Sequence, residues 1–110
     1  MSLTRDFKES IFARAQADPQ FRDALFKEGI ETLLAGDVDT GKAVIRHYNQ
    51  AKIGFETLGV ETGTSPKSLI RMFGSNGNPQ AKNLFAVIGR LQQLAGLKLH
   101  VTSRRHRRRA

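Results

Sequence analysis

The sequence predicts an all-α domain of five helices that ends in one short β-strand. Apolar residues recur at helical spacing through most of the 110 residues. Three capping residues, in Asp18-Pro19, Ser65-Pro66 and Asn78-Pro79, are each followed by a proline that fits the first position of a helix. Only Leu97, Leu99 and Val101 alternate with polar residues, and this two-residue repeat is typical of a half-buried strand.

The first part of the chain predicts a pair of helices. A first helix is expected from a cap at Thr4 to about Ala17, with Phe7, Ile11 and Ala15 on one apolar stripe. A second helix should run from Pro19 to about Ala35. Its expected core residues, or their near neighbours, are Phe21, Leu25, Ile30, Leu33 and Leu34. Neither helix is long enough to be stable alone, so we expect residues 1–36 to form a packed helical hairpin.

Two further helices flank the centre of the chain. One should begin after the turn at residues 37–39 and continue to about Lys52, with Tyr48 as a core aromatic whose hydroxyl reaches outward. Val44 and Ile45 share its core spacing. The last helix should start at Asn78-Pro79 and end near Ala95, before Gly96. Its predicted apolar face consists of Leu84, Ile88, Leu91 and Ala95, with Phe85 adjoining.

Residues 55–74 have the pattern of a helix-turn-helix, two short helices joined by a tight turn. Gly59 is small enough to let the second helix cross closely, and Gly63 suits the positive φ of a helix end. Ser65 is the expected cap of the second helix. Leu69, Met72 and Phe73 recur at core spacing. An ordinary helical hairpin, in which glycine and proline only mark the turn, is the alternative interpretation.

The outer face of the second motif helix consists of Ser65, Lys67, Ser68, Ile70 and Arg71. In a helix-turn-helix this face enters the major groove of DNA. We therefore expect base-edge contacts from Lys67, Ser68 and Arg71, with Arg71 gripping a guanine. The residues expected to contact phosphates near helix starts are Ser65, Ser75, Asn76 and Lys82.

Charge is distributed unevenly along the chain. Residues 1–39 contain eight acids and five bases, whereas residues 40–103 contain two acids and eight bases. Residues 104–110 add five arginines, and the formal net charge is +8. The basic surplus thus coincides with the helix-turn-helix half, as expected of a module that binds a polyanion.

Residues 104–110 are expected to form a disordered basic tail that contacts phosphates non-specifically, the alternative being a solvated, solubilising end. The rest of the chain, residues 1–103, is expected to be one helical domain. It divides into the hairpin at 1–36, the helix-turn-helix unit at 37–96 and a strand or arm at 97–102. A lone strand needs a partner, which a second copy would supply, whereas an arm would lie on its own domain.

No catalytic, cofactor or metal site is expected. Residues 36–43 match a phosphate-binding P-loop only up to Lys42, because Ala43 offers no hydroxyl for magnesium and Asp37 and Asp39 would repel phosphate. Tyr48 stands where a calcium loop needs glutamate. The three histidines lack ligand spacing, and there are no cysteines. Without a signal peptide or membrane span, a cytoplasmic location is expected.

Several segments together resemble the addiction-module antidote family, small bacterial proteins with a lambda-repressor-like helix-turn-helix. The segments are 3–8, 14–19, 34–43, 53–55, 66–72 and 77–79, of which 66–72 (Pro-Lys-Ser-Leu-Ile-Arg-Met) and 77–79 (Gly-Asn-Pro) are the most specific. The resemblance covers about residues 3–101. It implies a homodimeric antitoxin that neutralises a small RelE/ParE-type toxin and represses its own operon.

The residues and the resemblance agree on a DNA-binding regulator with double-stranded DNA as its partner. Only the acidic first half, with Asp18, Asp23, Glu28 and Glu31, indicates a basic protein partner such as a toxin. A solitary repressor is one alternative. A non-specific nucleic-acid-binding protein driven by the arginine tail is another, and an enzyme is the third.

Overall fold

Six α-helices account for most of the chain in the computed structural model, which describes residues 3–105, the side chains of residues 3–6 and 8 apart. The helices are α1 (Leu3–Ala17), α2 (Pro19–Leu34), α3 (Val38–Lys52), α4 (Phe55–Thr62), α5 (Pro66–Met72) and α6 (Ala81–Ala95). The all-α prediction is confirmed. Residues 3–105 contain six helices, one more than the predicted total of five. Each of the six lies in a segment that was predicted to be helical. None of the helices in residues 3–105 is long and apolar enough to cross a bilayer.

Local capping sets the starts of α2 and α3. The Asp18 carboxylate accepts hydrogen bonds from the backbone N–H groups of Gln20 and Phe21, at 3.0 and 3.2 Å. Asp37 accepts one from the backbone N–H of Thr40 at 3.3 Å. Both aspartates therefore satisfy donors that have no partner within the helix, and the cap at Asp18 is the one predicted.

The predicted start of the last helix is wrong. The N-cap of α6 is Gln80, with extended backbone angles, and the helix begins at Ala81 instead of after Asn78. The preceding loop explains the shift, because it first packs against the end of α5 near Gly77. Asn78 and Pro79 therefore belong to the loop that connects α5 to α6.

Helices α2 and α3 form a closely packed pair. The rings of Phe26 and Tyr48 stack with centroids 4.5 Å apart. Gly41 of α3 lies against Leu33, which a Cβ atom at that glycine would approach to 2.7 Å. The predicted burial of Leu34 is wrong, since its side chain is 63% exposed while Phe26 is fully buried. Phe26, Ile30 and Leu33 lie on the side of α2 that faces α3, and Leu34, the last residue of the helix, lies at the edge of that side.

Helix α1 packs through its C-terminal half. Ala15 is buried, but Phe7 is 66% exposed, so the predicted apolar stripe is buried only at its far end. Arg22 of α2 donates hydrogen bonds to the carbonyl oxygens of Ala15 and Gln16 at 3.0 and 3.2 Å. Arg14 lies over the Phe21 ring, 4.5 Å from its centroid. These contacts hold the end of α1 on the start of α2.

One hydrophobic core joins α2 to α6. Its buried members are Phe26, Ile45, Tyr48, Phe55, Leu58, Leu69, Phe73, Leu84, Val87, Ile88 and Leu91. Tyr48 is a core aromatic as predicted, but the prediction that its hydroxyl reaches outward is wrong. The hydroxyl is buried and has no hydrogen-bond partner among the described residues. This burial, together with the nearby Asp23 carboxylate, raises the pKa of Tyr48 to about 12, against a smaller opposing effect of Arg22.

The segment after α6 is an arm without regular secondary structure. Residues 97–105 form no β-strand, so the predicted strand is absent from the described chain. Leu97 and Leu99 are half-buried against the core, and the backbone N–H of Leu99 donates to the Gln92 side-chain oxygen at 2.9 Å. A strand needs a neighbouring strand to bond its backbone, and residues 3–105 offer none. Residues 106–110 of the predicted tail lie outside the described chain.

Candidate nucleic-acid interface

The turn between α4 and α5 is built as its sequence predicts. Gly63 has φ +70° and ends α4 in the left-handed conformation. The hydroxyl of Ser65 accepts a hydrogen bond from the backbone N–H of Ser68 at 3.1 Å, and Pro66 takes the first position of α5. A Cβ atom at Gly59 would come within 2.8 Å of the Thr64 carbonyl oxygen and 3.2 Å of Pro66. The close crossing of the two helices therefore depends on a residue without a side chain at position 59.

Helix α5 has one buried side and one exposed side. Leu69 and Phe73 are buried, Met72 is half-buried, and the Phe73 ring lies 6.4 Å from that of Phe55 in α4. These contacts fix α5 on the core. The exposed side chains are those of Ser65, Lys67, Ser68, Ile70 and Arg71, the set that the sequence predicts for the outer face.

Lys42 of α3 fixes the loop that follows α5. Its side chain is 1% exposed, and its Nζ atom donates to the carbonyl oxygens of Gly74 and Gly77 at 3.0 and 2.8 Å. Arg46, one turn further along α3, donates to the Phe73 carbonyl oxygen at 3.4 Å. The Phe73 carbonyl group at the C-terminal end of α5 has no intrahelical donor, so Arg46 satisfies it. Lys42 binds two carbonyl groups of the loop beyond the helix. Sequence reasoning missed this role of Lys42.

Gly77 brings the loop into direct contact with α5. A Cβ atom there would overlap the carbonyl oxygen of Arg71 and lie 3.1 Å from that of Met72. The backbone N–H of Gly77 donates to the Gly74 carbonyl oxygen at 3.1 Å, which closes a tight turn around Ser75 and Asn76. Both of those side chains are exposed. The side chains of Ser75 and Asn76 therefore project from a turn that is fixed by its contact with α5 and by its own hydrogen bond.

The cations of residues 40–103 divide into two groups. Lys42 and Arg46 bind carbonyl groups inside the fold, and Arg90 of α6 pairs with Glu61 of α4. The others have exposed side chains and no ion pair among the described residues. They are Lys52, Lys67, Arg71, Lys82 and Lys98. Two of these five lie on α5, one turn apart, so that the positive charge of Lys67 and Arg71 faces solvent without compensation.

All seven side chains predicted to contact DNA are exposed, and six of them lie in a continuous stretch of chain. Ser65, Lys67, Ser68 and Arg71 belong to α5 and its cap, and Ser75 and Asn76 belong to the turn held by Lys42. Lys82 stands apart, in the first turn of α6. The Ser65 and Ser68 hydroxyls are hydrogen-bonded to each other at 2.9 Å, so both take part in the cap.

Comparison with known proteins finds no relative of this chain. No family model, curated protein or solved structure that was compared with the chain matches it.

Proposed function

We propose that this protein is a sequence-specific DNA-binding transcriptional regulator in which α4 and α5 form a lambda-repressor-like helix-turn-helix. The observation that carries the proposal is the pair Lys67 and Arg71, exposed on α5 with no ion pair among the described residues. Both ends of α5 are fixed, by the Ser65 cap and by the loop that Lys42 holds. A fixed helix with exposed cations suits insertion into a major groove, because little backbone order remains to be gained on binding.

The residues of the proposed site differ in the DNA groups that they can contact. Arg71 has a planar guanidinium that matches the two acceptors of guanine, whereas Lys67, at the second position of α5, offers a single point of charge. Ser75 and Asn76 lie beyond the C-terminal end of α5, and their proposed role is phosphate contact that fixes the register of the helix in the groove. Ser65 donates its hydroxyl hydrogen to the Ser68 hydroxyl and accepts the Ser68 backbone N–H, so Ser68 keeps its own O–H group as the donor for a DNA contact.

Selection from a random duplex library, using the full chain, tests this function. Enrichment of a defined sequence, bound at least about a thousandfold more tightly than random duplex at physiological salt, is the expected result. Arg71→Ala should remove most of that preference, and Lys52→Ala, which removes an exposed cation from α3, should leave it intact. A library that enriches no sequence would overturn the proposal and favour non-specific binding by the arginine tail.

We further propose that the protein binds DNA as a homodimer. The supporting surface is a groove of about 540 Å³ between α2, α6 and the C-terminal arm. Three exposed apolar side chains surround it, those of Leu34, Phe85 and Val101. Its lining also carries both signs of charge, from Glu31 and Lys98. A two-fold contact places the same face on both partners, so a groove lined by exposed apolar side chains and by charges of both signs suits pairing with its own copy.

An antitoxin function is the second candidate, and it rests on the charge of α2. Asp23, Glu28 and Glu31 are exposed on this helix and form no ion pair among the described residues. α2 also carries Arg22, which binds carbonyl groups of α1, and the exposed Lys27, so its net charge is −1. The three exposed carboxylates would bind a small basic toxin while α5 binds DNA. Co-expression with the neighbouring gene tests this. A stable complex that Asp23→Lys with Glu28→Lys disrupts would support an antitoxin, and absence of any complex would leave a solitary repressor.

A further inference from the structure

Ile70 is an apolar side chain on the otherwise polar outer face of α5. It is 51% exposed, while Leu69 beside it is fully buried. With 3.6 residues per turn, Lys67 and Arg71 point away from the core, and Ile70 lies beside them, about 60° around the helix from Lys67. Ile70 is therefore part of the surface that carries the two free cations.

Neither packing nor helix formation accounts for an isoleucine at this position. The buried core of the described chain is complete without it. A β-branched side chain also disfavours the helix relative to alanine or lysine, and α5 has only seven residues. A single exposed apolar residue is common on protein surfaces. Here, however, it adjoins the cations that the proposed function places against base edges.

The partner of this surface must combine negative charge with a small apolar group. Duplex DNA does so in the major groove, where the C5-methyl group of thymine is the one apolar projection among hydrogen-bonding base edges. The same methyl group is present in 5-methylcytosine and absent from uracil. Duplex RNA, besides lacking it, has a major groove too deep and narrow for a helix.

We infer that Ile70 is a specificity-determining residue that contacts the C5-methyl group of a thymine next to the base pair read by Arg71. The inference rests on the proposed function and deepens it, because it names one feature of the DNA sequence that α5 recognises. It also distinguishes DNA from RNA as the nucleic acid bound. Loss of one buried methyl group weakens binding about fourfold.

The test replaces each thymine of the selected site, one at a time, by deoxyuridine. This change removes a single methyl group and keeps the base-pairing edge. With the native chain, one thymine per half-site should show affinity reduced about fourfold. With Ile70→Ala, that thymine and deoxyuridine should bind equally well, and Ile70→Val should restore part of the difference. Val60→Ala, at an apolar residue of α4 that is 82% exposed, should retain the full deoxyuridine effect.

Other arms of the experiment separate the sources of the methyl group. Placing a 5-methylcytosine–guanine pair at the sensitive position shows whether Ile70 accepts the methyl group alone or needs thymine. If the 5-methylcytosine duplex binds as tightly as the original thymine duplex, the methyl group alone is the recognised feature. If it binds as weakly as the deoxyuridine duplex, recognition also needs the adjacent thymine oxygen. Both results keep the contact. A selected site whose deoxyuridine effects are the same in the native chain and Ile70→Ala would overturn it, leaving sequence-specific binding in place. A library with no enriched sequence would overturn both proposals.

Discussion

Lys42 and Gly77 are joined by a hydrogen bond of 2.8 Å from the lysine Nζ to the glycine carbonyl oxygen, across 35 positions of sequence. A second bond, to the Gly74 carbonyl oxygen at 3.0 Å, makes the same ammonium group the anchor of the turn between them. The lysine belongs to α3, which packs on the N-terminal hairpin, and the turn belongs to the candidate interface. This contact therefore links the core of the protein to the surface proposed to bind DNA.

Replacing Lys42 by methionine should destabilise the protein by about 1–3 kcal/mol, because methionine fills the same space but leaves the Gly77 carbonyl group without a donor. The Gly74 carbonyl group would keep only its bond from the Gly77 backbone N–H. Urea denaturation measures the change. The matched control is Lys52→Met, at an exposed lysine of the same helix, which should alter the free energy of unfolding by less than about 0.5 kcal/mol. Equal effects of the two substitutions would show that the buried bonds contribute nothing to stability.

Local sequence predicted much of this interface, and distant contacts account for what it missed. The αL conformation of Gly63 and the Ser65 cap involve residues within four positions of each other, so local physical rules suffice. The bond from Lys42 to the turn depends on how α3 and α5 are placed, and no local pattern contains that information. The partial match of residues 36–43 to a P-loop fails after Lys42 and gives no indication of this bond.

Burial errors in the helices have a related cause. The spacing of apolar residues predicts the buried side of a helix only to within one residue. Packing against neighbouring helices then sets the orientation of the helix about its own axis. Leu34 and Phe26 illustrate this on α2, where the contact with α3 selects Phe26 and leaves Leu34 exposed. The Tyr48 hydroxyl shows a second limit. A tyrosine in an apolar pattern gives no indication of whether its oxygen reaches solvent.

Alkaline pH should destabilise the protein through Tyr48. Its pKa is raised from 10.0 in the unfolded chain to about 12 in the fold, so the folded state disfavours tyrosinate. The stabilising effect of the neutral form is fully present below about pH 10 and is lost as the pH rises through about 12. The whole loss is about 3 kcal/mol. Near-ultraviolet absorbance follows the ionisation directly, since Tyr48 is the single tyrosine and there is no tryptophan.

Tyr48→Phe is the control for this titration. Phenylalanine keeps the stacking on Phe26 and removes a buried hydroxyl that has no hydrogen-bond partner in the described part of the chain. The variant should be at least as stable as the native chain at pH 7. Above pH 10 it should become the more stable of the two by a growing margin. Parallel pH curves for the two proteins would contradict burial of the hydroxyl.

Arg71→Ala should lower affinity for the selected site by about 1–3 kcal/mol and leave affinity for random duplex nearly unchanged. The side chain is exposed and forms no ion pair with any described residue, so its removal should not affect folding. Fluorescence anisotropy with cognate and scrambled duplexes measures both values. Equal losses on the two duplexes would assign Arg71 to the phosphate backbone instead of a base.

Deletion of residues 104–110 should flatten the salt dependence of binding while leaving sequence preference intact. The five arginines removed would each account for about 0.9 of the slope of log affinity against log salt, so the slope should fall by up to about 4.5. Titrations over a range of salt concentrations, with cognate and random duplexes, give the slope. Complete loss of cognate binding would favour the alternative in which the tail alone drives association.

Val101→Lys should abolish dimerisation, if two copies pair through the groove beside the arm. Val101 lines that groove and is 77% exposed in the single chain, so a charge there costs the monomer little but would be buried in the pair. Val60→Lys is the matched control, because Val60 is equally apolar, 82% exposed and outside the groove lining. Light scattering of the DNA-free proteins at several concentrations should give a dimer for the native chain and Val60→Lys, and a monomer for Val101→Lys. A native chain that is monomeric at all concentrations would contradict pairing through this groove. Two copies would then come together only by binding adjacent DNA half-sites, and Val101→Lys would leave binding to the selected site unchanged.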